Sequence, residues 1–174
     1  MKLDINLQEL LGAIDVPADW VGVREVYEAH TPRMIRDGVP VSNGRYSTHG
    51  VMVEVLVDGQ FGYYGTPNLT SHGVSDAAMK AYRQAKIASQ HSVFAFDAKA
   101  RPPYKGTYNS PFEKDRESLS PGNLNQLLLD AYNNLKVSDK IVSASSFCQI
   151  IETSSRFISS NGSDINQKFL MLEF

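Results

Sequence analysis

The chain contains very little cysteine, with only Cys148 among its 174 residues. A single cysteine has no partner for a disulfide within the chain, and it stands in a run of strand-forming residues. We therefore expect Cys148 to be a small apolar filler in a reducing compartment, because a buried thiol without an activating neighbour is seldom reactive.

The sequence also lacks a long apolar run and a large charge of either sign. No segment approaches the roughly 20 apolar residues that a membrane-spanning helix needs, and the N-terminus lacks the apolar run of a signal peptide. The formal net charge is -2 with both signs interspersed, which argues against direct nucleic-acid binding. With 42% hydrophobic residues, the composition predicts a cytoplasmic globular protein that makes no membrane contact.

Motifs for catalysis are absent as well. The histidines are at least 19 residues apart, and none has a glutamate beside it in the helical pattern of a zinc peptidase; they are His30, His49, His72 and His91. The serines between Ser138 and Ser160 have neither a Gly-x-Ser-x-Gly turn nor a following histidine. The glycines at 59, 62 and 65 do not open a helix after a strand, so we expect them to serve a turn and a strand. We predict no catalytic, cofactor-binding or metal-binding residue.

Two weaker hypotheses concern histidines and carboxylates near strand ends. His30 and His49 could mimic a metal-ligand pair, although catalytic zinc needs three protein ligands, and turn-capping histidines are the favoured interpretation. Glu25, Glu28 and Glu54 could act as paired acid and base if neighbouring strands aligned them. Such residues more often mark the solvated face of a sheet.

Aromatic and basic residues suggest two further surfaces. Phe61, Tyr63 and Tyr64 could form a stacking platform for single-stranded nucleic acid with the arginines at 24, 33, 36 and 45, although their alternation favours a sheet core. The segment between Pro32 and Pro40 is a candidate sheet edge, which could bind an extended peptide by strand addition.

The residues that are present predict a β-hairpin over residues 50–66. Val51, Val53, Val55 and Val57 share one strand face, and Asp58-Gly59 supplies the two positive-φ positions of a tight turn. Before it, we expect a strand over residues 20–29, an interruption at Pro32, and a second hairpin at residues 37 and 38. Connections this short predict a meander of about five antiparallel strands.

Helical spacing and capping residues place three helices around these strands. A short helix over residues 7–14 should end before Pro17, a second should cover residues 76–89 with Ser75 as its cap, and a third should start at Ser120-Pro121. Three later strands are expected over residues 140–151, 156–160 and 165–172. The prediction is an α+β fold with antiparallel meander sheets, helices packed on one face, and two subdomains, 1–97 and 98–174.

The order of these pieces resembles the N-terminal region of the TldD/PmbA family, the modulators of DNA gyrase that behave as metallopeptidases. The resemblance extends over residues 18–168, approximately. It is carried by Arg36-Asp37-Gly38, the hairpin of residues 50–64, the alanine-rich helix, the proline-rich loop with Tyr104, the leucine helix, the 140–143 segment and the turn at 157–162.

The resemblance implies that zinc belongs to a His-Glu-x-x-x-His motif in a C-terminal domain that this chain does not contain. It also implies a homodimer or a heterodimer with a paralogue, around a cleft that accepts peptides or unfolded proteins. The last six residues, five of them apolar, depart from the expected polar strand, so we expect the second subdomain to be truncated.

The sequence therefore predicts a noncatalytic N-terminal portion of a TldD/PmbA-type zinc peptidase that contributes to a substrate cleft and dimer contacts. The alternative is a standalone peptide- or protein-binding module without an enzymatic role. Neither a link to gyrase nor the identity of the paralogue follows from these residues.

Overall fold

The computed structural model describes residues 5–112 and 120–174 and has an α+β fold, as the sequence predicted. Its described part contains three α-helices and a seven-stranded sheet. The helices are α1 (Leu7–Gly12), α2 (Ser71–Ser89) and α3 (Pro121–Leu135), with a short 3-10 turn at Ala98–Ala100. The strands are β1 (Trp20–Arg36), β2 (Val39–Asn43), β3 (Tyr46–Val57), β4 (Gln60–Thr66), β5 (Lys105–Asn109), β6 (Ser145–Ser159) and β7 (Asp164–Glu173).

The strands are hydrogen-bonded in the order β4-β3-β1-β6-β7-β5, and β2 also pairs with β1. The chain divides into two compact units. Unit 1 consists of the residues up to Tyr27 together with Thr48–Tyr108 and Ser154–Lys168, and unit 2 consists of the segments between and after these. Five strands, β1, β3, β5, β6 and β7, contribute residues to both units. The division at residue 97 stays a prediction. None of the helices in the described ranges has the length and hydropathy to cross a membrane.

The predicted hairpin is confirmed as the antiparallel pair β3 and β4. Asp58 (φ 49°) and Gly59 (φ 75°) both adopt the left-handed conformation, and Val57 pairs with Gln60. This geometry is that of a two-residue hairpin turn whose twist matches the flanking strands.

The core of unit 1 lies between β3 and α2, with the predicted residues on the predicted faces. Val51, Val53, Val55 and Val57 are 2% exposed or less, and they cluster with small residues of α2. The α2 residues in this cluster are Val74, Ala77, Ala78, Ala81 and Ala85. Alanines leave little side chain between the helix and the sheet, so α2 can lie close to the strands.

The start of α2 differs from the prediction by about one turn. Thr70, and not Ser75, is the N-cap, because its hydroxyl accepts a hydrogen bond from Gly73 N at 3.2 Å. Asn68 in turn accepts from the Thr70 backbone N–H at 3.2 Å, which fixes the entry into the helix. Ser75 then falls inside the helix and caps nothing.

Unit 2 has its own core around α3. Ser120 Oγ accepts from Asn123 N at 3.1 Å and Pro121 opens the helix, as predicted. The buried residues are Ile35, Leu124, Leu128, Tyr132, Cys148 and Ile150. Cys148 is fully buried and burial raises the pKa of its thiol, so its interpretation as an apolar filler is confirmed.

Three predicted strand boundaries are wrong. Strand β1 continues through Pro32 instead of ending there. Pairing with β2 begins one residue later, at Arg33, so the N–H that proline lacks is not needed by any carbonyl of β2. Strand β6 continues through residues 152–154, because pairing with β1 and β7 on its two sides outweighs the local turn signal. Residues 140–143 are not a strand, and the connection predicted before α3 contains β5.

Candidate functional site

A cavity of about 390 Å³ lies in unit 1 on the sheet face opposite the α2 core. Because successive side chains alternate across a strand, Trp20 and Arg24 of β1 point away from the face that Val21 and Val23 share with α2. The residues that line the cavity are Trp20, Arg24, Glu54, Arg101, Pro102, Phe157, Ser163 and Ile165. We refer to it as the arginine cavity.

Aromatic rings form the floor of the arginine cavity. Trp20 is 1% exposed, and its ring centroid lies 6.2 Å from Phe157 and 6.1 Å from Phe61. Gly22 makes this packing possible, because a Cβ there would lie 2.6 Å from Trp20 Cη2 and 2.8 Å from Phe157 Cε2. The floor is thus a packed apolar surface in which an added methyl group would displace a ring.

An ion pair closes one side of the cavity. Glu54 is 6% exposed, and its Oε1 accepts from Arg101 Nε at 3.0 Å and from Nη2 at 2.5 Å. The hydrogen bond to Glu54 raises the pKa of Arg101, and the Arg101 guanidinium also lies 4.6 Å from the Phe61 centroid. The buried carboxylate is therefore compensated within the cavity wall.

Arg24 presents a second guanidinium that no carboxylate in the described part of the chain neutralises. Its Cζ lies 4.9 Å from the centroid of the Phe157 ring, a cation–π contact. That contact leaves the N–H groups at the edge of the guanidinium available for an anion. The cavity therefore combines an apolar floor, a neutralised ion pair and one uncompensated positive charge.

Hydrogen bonds hold the loop that carries Arg101 against the β6–β7 turn. Asn161 Nδ2 donates to Arg101 O at 2.7 Å, while Asn161 Oδ1 accepts from Trp20 Nε1 at 3.0 Å. Tyr104 N donates to Ser163 Oγ at 3.2 Å, and Asp164 N donates to Tyr104 O at 3.0 Å. The wall of the cavity is therefore preorganised by bonds between segments distant in sequence.

Tyr63 adjoins this ion pair and responds to it. Burial, followed by the negative charge of Glu54, raises the pKa of the Tyr63 phenol above its ordinary value of 10.0. The folded chain thus retains the phenol proton to a higher pH than the unfolded chain does. The resulting stability is present below about pH 10 and is lost as the pH rises through the folded-state pKa.

We predict that Glu54→Gln lowers the pKa of Tyr63 toward its ordinary value, because it removes the negative charge while Arg101 remains. The measurement is the alkaline ultraviolet titration of the phenol, taken as the difference between each protein and its Tyr63→Phe counterpart. An unchanged or higher pKa in Glu54→Gln would contradict the assignment.

A second cavity of about 340 Å³ adjoins His49, also in unit 1. His49 Nε2 lies 2.8 Å from Oε1 of Glu25, a carboxylate with 0% exposure, and Glu25 Oε2 has no partner among the described residues. The cavity is lined mainly by apolar and small side chains, including Val26, Met52 and Pro67. His49 thus supports a buried carboxylate.

His30 lies in a separate network within unit 2. Its Nε2 lies 2.6 Å from Glu28 Oε1, its Nδ1 lies 2.5 Å from Gln149 Nε2, and Thr153 Oγ1 donates to Glu28 Oε2 at 2.9 Å. A ring with a proton on Nε2 satisfies both partners, since Gln149 then donates to Nδ1. Both ring nitrogens are therefore occupied by protein groups.

These contacts revise the two weaker hypotheses. His30 and His49 lie in strands and bond different carboxylates, so the expectation that they cap turns is wrong. Glu25 and Glu54 are buried rather than solvated, which is tolerated because His49 and Arg101 bond them. Only a search for partners distant in sequence would have found these pairs, since the members are 24 and 47 residues apart.

The arginines and aromatics of the proposed stacking platform are also dispersed. Arg33 is buried against Asn43 and Asn125, and Arg45 bonds Glu152 at 3.1 Å, so both serve unit 2. Tyr63 and Tyr64 are 40% and 41% exposed, which corrects the expectation that they belong to a core. Their contacts in unit 1 are with Arg101 and Lys80.

Among residues 5–112 and 120–174, no group of three histidine, cysteine or acidic side chains is placed to hold a metal ion. The predicted edge segment is not itself an edge, because its residues 33–36 pair with β2. Among the described residues, β2 pairs with β1 alone and is the strand that exposes Val39 (60%) and Val41 (53%).

Comparison with known proteins connects this architecture to a family. Residues 21–89, which span β1 to α2, match the family model described as PmbA/TldA metallopeptidase domain 1. This segment of the chain is similar to the first domain of the TldD/PmbA family. The predicted resemblance to the N-terminal region of this family is therefore confirmed. Among curated proteins, none matches the sequence significantly.

Three solved structures share the fold of most of the chain. A proposed modulator of DNA gyrase from Bacteroides thetaiotaomicron superposes with a TM-score of 0.66 and 21% identity over 97% of this chain and 39% of its own. TldE from Thermococcus kodakarensis superposes with a TM-score of 0.64 and 14% identity, over 95% of this chain and 37% of its own. A proposed gyrase modulator from Thermotoga maritima superposes with a TM-score of 0.60 and 12% identity, over 88% of this chain and 34% of its own. The chain thus spans less than two fifths of the length of these proteins.

Proposed function

We propose that this chain is a noncatalytic portion of a TldD/PmbA-type zinc metallopeptidase that helps to bind unfolded peptides. The observation that carries the proposal is the match of residues 21–89 to domain 1 of a metallopeptidase. The fold also supports the proposal, because nearly all of this chain superposes on less than two fifths of the length of larger proteins. Zinc and the hydrolytic groups would then belong to a separate domain, and the gyrase connection remains a description of the relatives.

The proposed peptide-binding role draws support from exposed β2. An extended peptide can add to the free edge of a strand by main-chain hydrogen bonds, which tolerate many sequences. Val39 and Val41 offer apolar contacts two residues apart, on one side of that strand. Other exposed apolar residues in unit 2, among them Val142, would supply contacts for a homodimer or a heterodimer with a paralogue.

We expect the chain to bind a fluorescein-labelled unfolded peptide without cleaving it when zinc is supplied. Fluorescence anisotropy measures binding, and mass spectrometry of the peptide measures cleavage, each with and without a chelator. Cleavage that the chelator abolishes would contradict the noncatalytic role, and an anisotropy that stays at the value of the free peptide would contradict the peptide-binding role.

A standalone peptide- or protein-binding module is the second candidate, favoured by the preorganised arginine cavity within unit 1. The two candidates differ in whether other domains are needed. A standalone module would reach its full peptide affinity as the 174-residue chain by itself, whereas a portion of a peptidase cleft would gain affinity when a full-length paralogue is added to the anisotropy assay.

A further inference from the structure

We propose that the arginine cavity binds the C-terminal carboxylate of a peptide whose last side chain is apolar. The inference deepens the proposed function and rests on it for the choice of a peptide as the ligand. Arg24 would pair with the carboxylate, and the floor formed by Trp20 and Phe157 would contact the side chain.

The charges of the cavity favour an anion. Arg101 is engaged by Glu54 through two N–H groups, so this pair is internally neutral, whereas the Arg24 guanidinium contacts the Phe157 ring and no carboxylate within the described residues. One guanidinium without a carboxylate partner, in a cavity whose floor is aromatic, attracts a negative group more strongly than it would in bulk water.

The same charges favour a carboxylate over a phosphate. A planar carboxylate matches the two parallel N–H bonds of a single guanidinium and carries one negative charge. A phosphate carries nearly two charges and would need more donors, and Glu54 at the cavity wall would repel it more strongly.

Size and wall chemistry select the rest of the ligand. A volume of about 390 Å³ suits one or two amino-acid residues and lies at the small end of ligand cavities. Trp20, Phe157, Pro102 and Ile165 supply apolar walls for a side chain such as that of leucine. Asn161 donates a hydrogen bond to Arg101 O, and Ser163 Oγ accepts one from Tyr104 N. These bonds hold the walls in place before the ligand enters, so little ordering is needed on binding.

Trp20 supplies the readout, because it is the only tryptophan in the chain and forms the cavity floor. We would titrate the chain with acetyl-Gly-Gly-Leu as the free acid, with the same peptide as its C-terminal amide, with acetyl-leucine, and with inorganic phosphate. Tryptophan fluorescence reports occupancy of the cavity, and calorimetry gives the affinity. The variants are Arg24→Gln, Arg24→Lys, and Arg83→Gln as a matched loss of an exposed arginine on α2.

We expect the free acid to bind at least roughly tenfold more tightly than the amide, the gain typical of a hydrogen bond to a charged group. Arg24→Gln should abolish this preference, Arg24→Lys should retain part of it, and Arg83→Gln should leave it unchanged. Circular dichroism and the Trp20 emission without ligand check that each variant is folded. If Arg24→Gln does not fold, the comparison is made with Arg24→Lys alone.

The outcomes separate this inference from the proposed function. Equal binding of acid and amide, or an acid preference that survives loss of Arg24, would overturn the carboxylate site while the peptide-binding role stands. Arg24-dependent binding of acetyl-leucine without binding of either peptide would support the site and contradict the peptide-binding role. Phosphate that binds more tightly than acetyl-leucine would overturn the choice of carboxylate, and a titration in which no probe binds would overturn both proposals.

Discussion

Gly62→Ala should destabilise the fold by about 3 kcal/mol, at the upper end of the usual effect of overpacking. A Cβ on Gly62 would lie 2.0 Å from the carbonyl oxygen of Ala81, 2.9 Å from Ala81 C and 3.0 Å from Ala85 N. These are backbone atoms of α2, so no side-chain rotation relieves the contact. The helix would have to move away from β4 and would lose packing along the alanine face.

Gly65→Ala is the matched control, since Gly65 lies in the same strand and a Cβ there would meet no atom within 4 Å. Its effect should stay within about 1 kcal/mol, because the alanine mainly restricts the unfolded chain. Urea unfolding followed by circular dichroism gives both free energies. Equal midpoints for the two variants would show that β4 and α2 do not approach as closely as described.

His49→Leu should destabilise the fold by about 3 kcal/mol, the upper end of the usual range for leaving a buried polar group without its hydrogen-bond partner. The substitution would leave the Glu25 carboxylate, which is 0% exposed, without its contact to His49 Nε2. Because Glu25 Oε2 already lacks a partner in the described structure, the carboxylate would lose its remaining side-chain hydrogen bond. We expect no larger loss, because His49 itself is 27% exposed.

A double variant distinguishes the loss of this pair from a general loss of packing. Glu25→Met combined with His49→Leu replaces both polar groups by apolar ones, and it should recover most of the stability lost in His49→Leu. His91→Leu, at an exposed position after α2, serves as the control and should change stability by less than about 0.5 kcal/mol. The hypothesis fails if the double variant is as unstable as His49→Leu in urea unfolding at neutral pH.

Local sequence signals predicted the hairpins and helices because their determinants lie within a few residues. Asp58-Gly59 dictates a turn through its backbone conformation, and the valines that follow one another at every second position dictate a buried face. Ser120-Pro121 similarly defines the first turn of α3. The errors at Pro32, at residues 152–154 and at Ser75 arose where neighbouring strands, or a cap five residues earlier, outweighed the local preference.

The sequence by itself determined the α+β class, the hairpin register and the resemblance to a known N-terminal domain, since these follow from periodicity, turn chemistry and the order of the pieces. Only the tertiary structure decided that Glu25 and Glu54 are buried, that Gly62 is a contact point for a helix, and that Arg24 faces a cavity without a carboxylate partner in the described residues. The physical reason is that burial and charge compensation depend on residues tens of positions apart. Their proximity is set by strand pairing and packing, which no local pattern encodes.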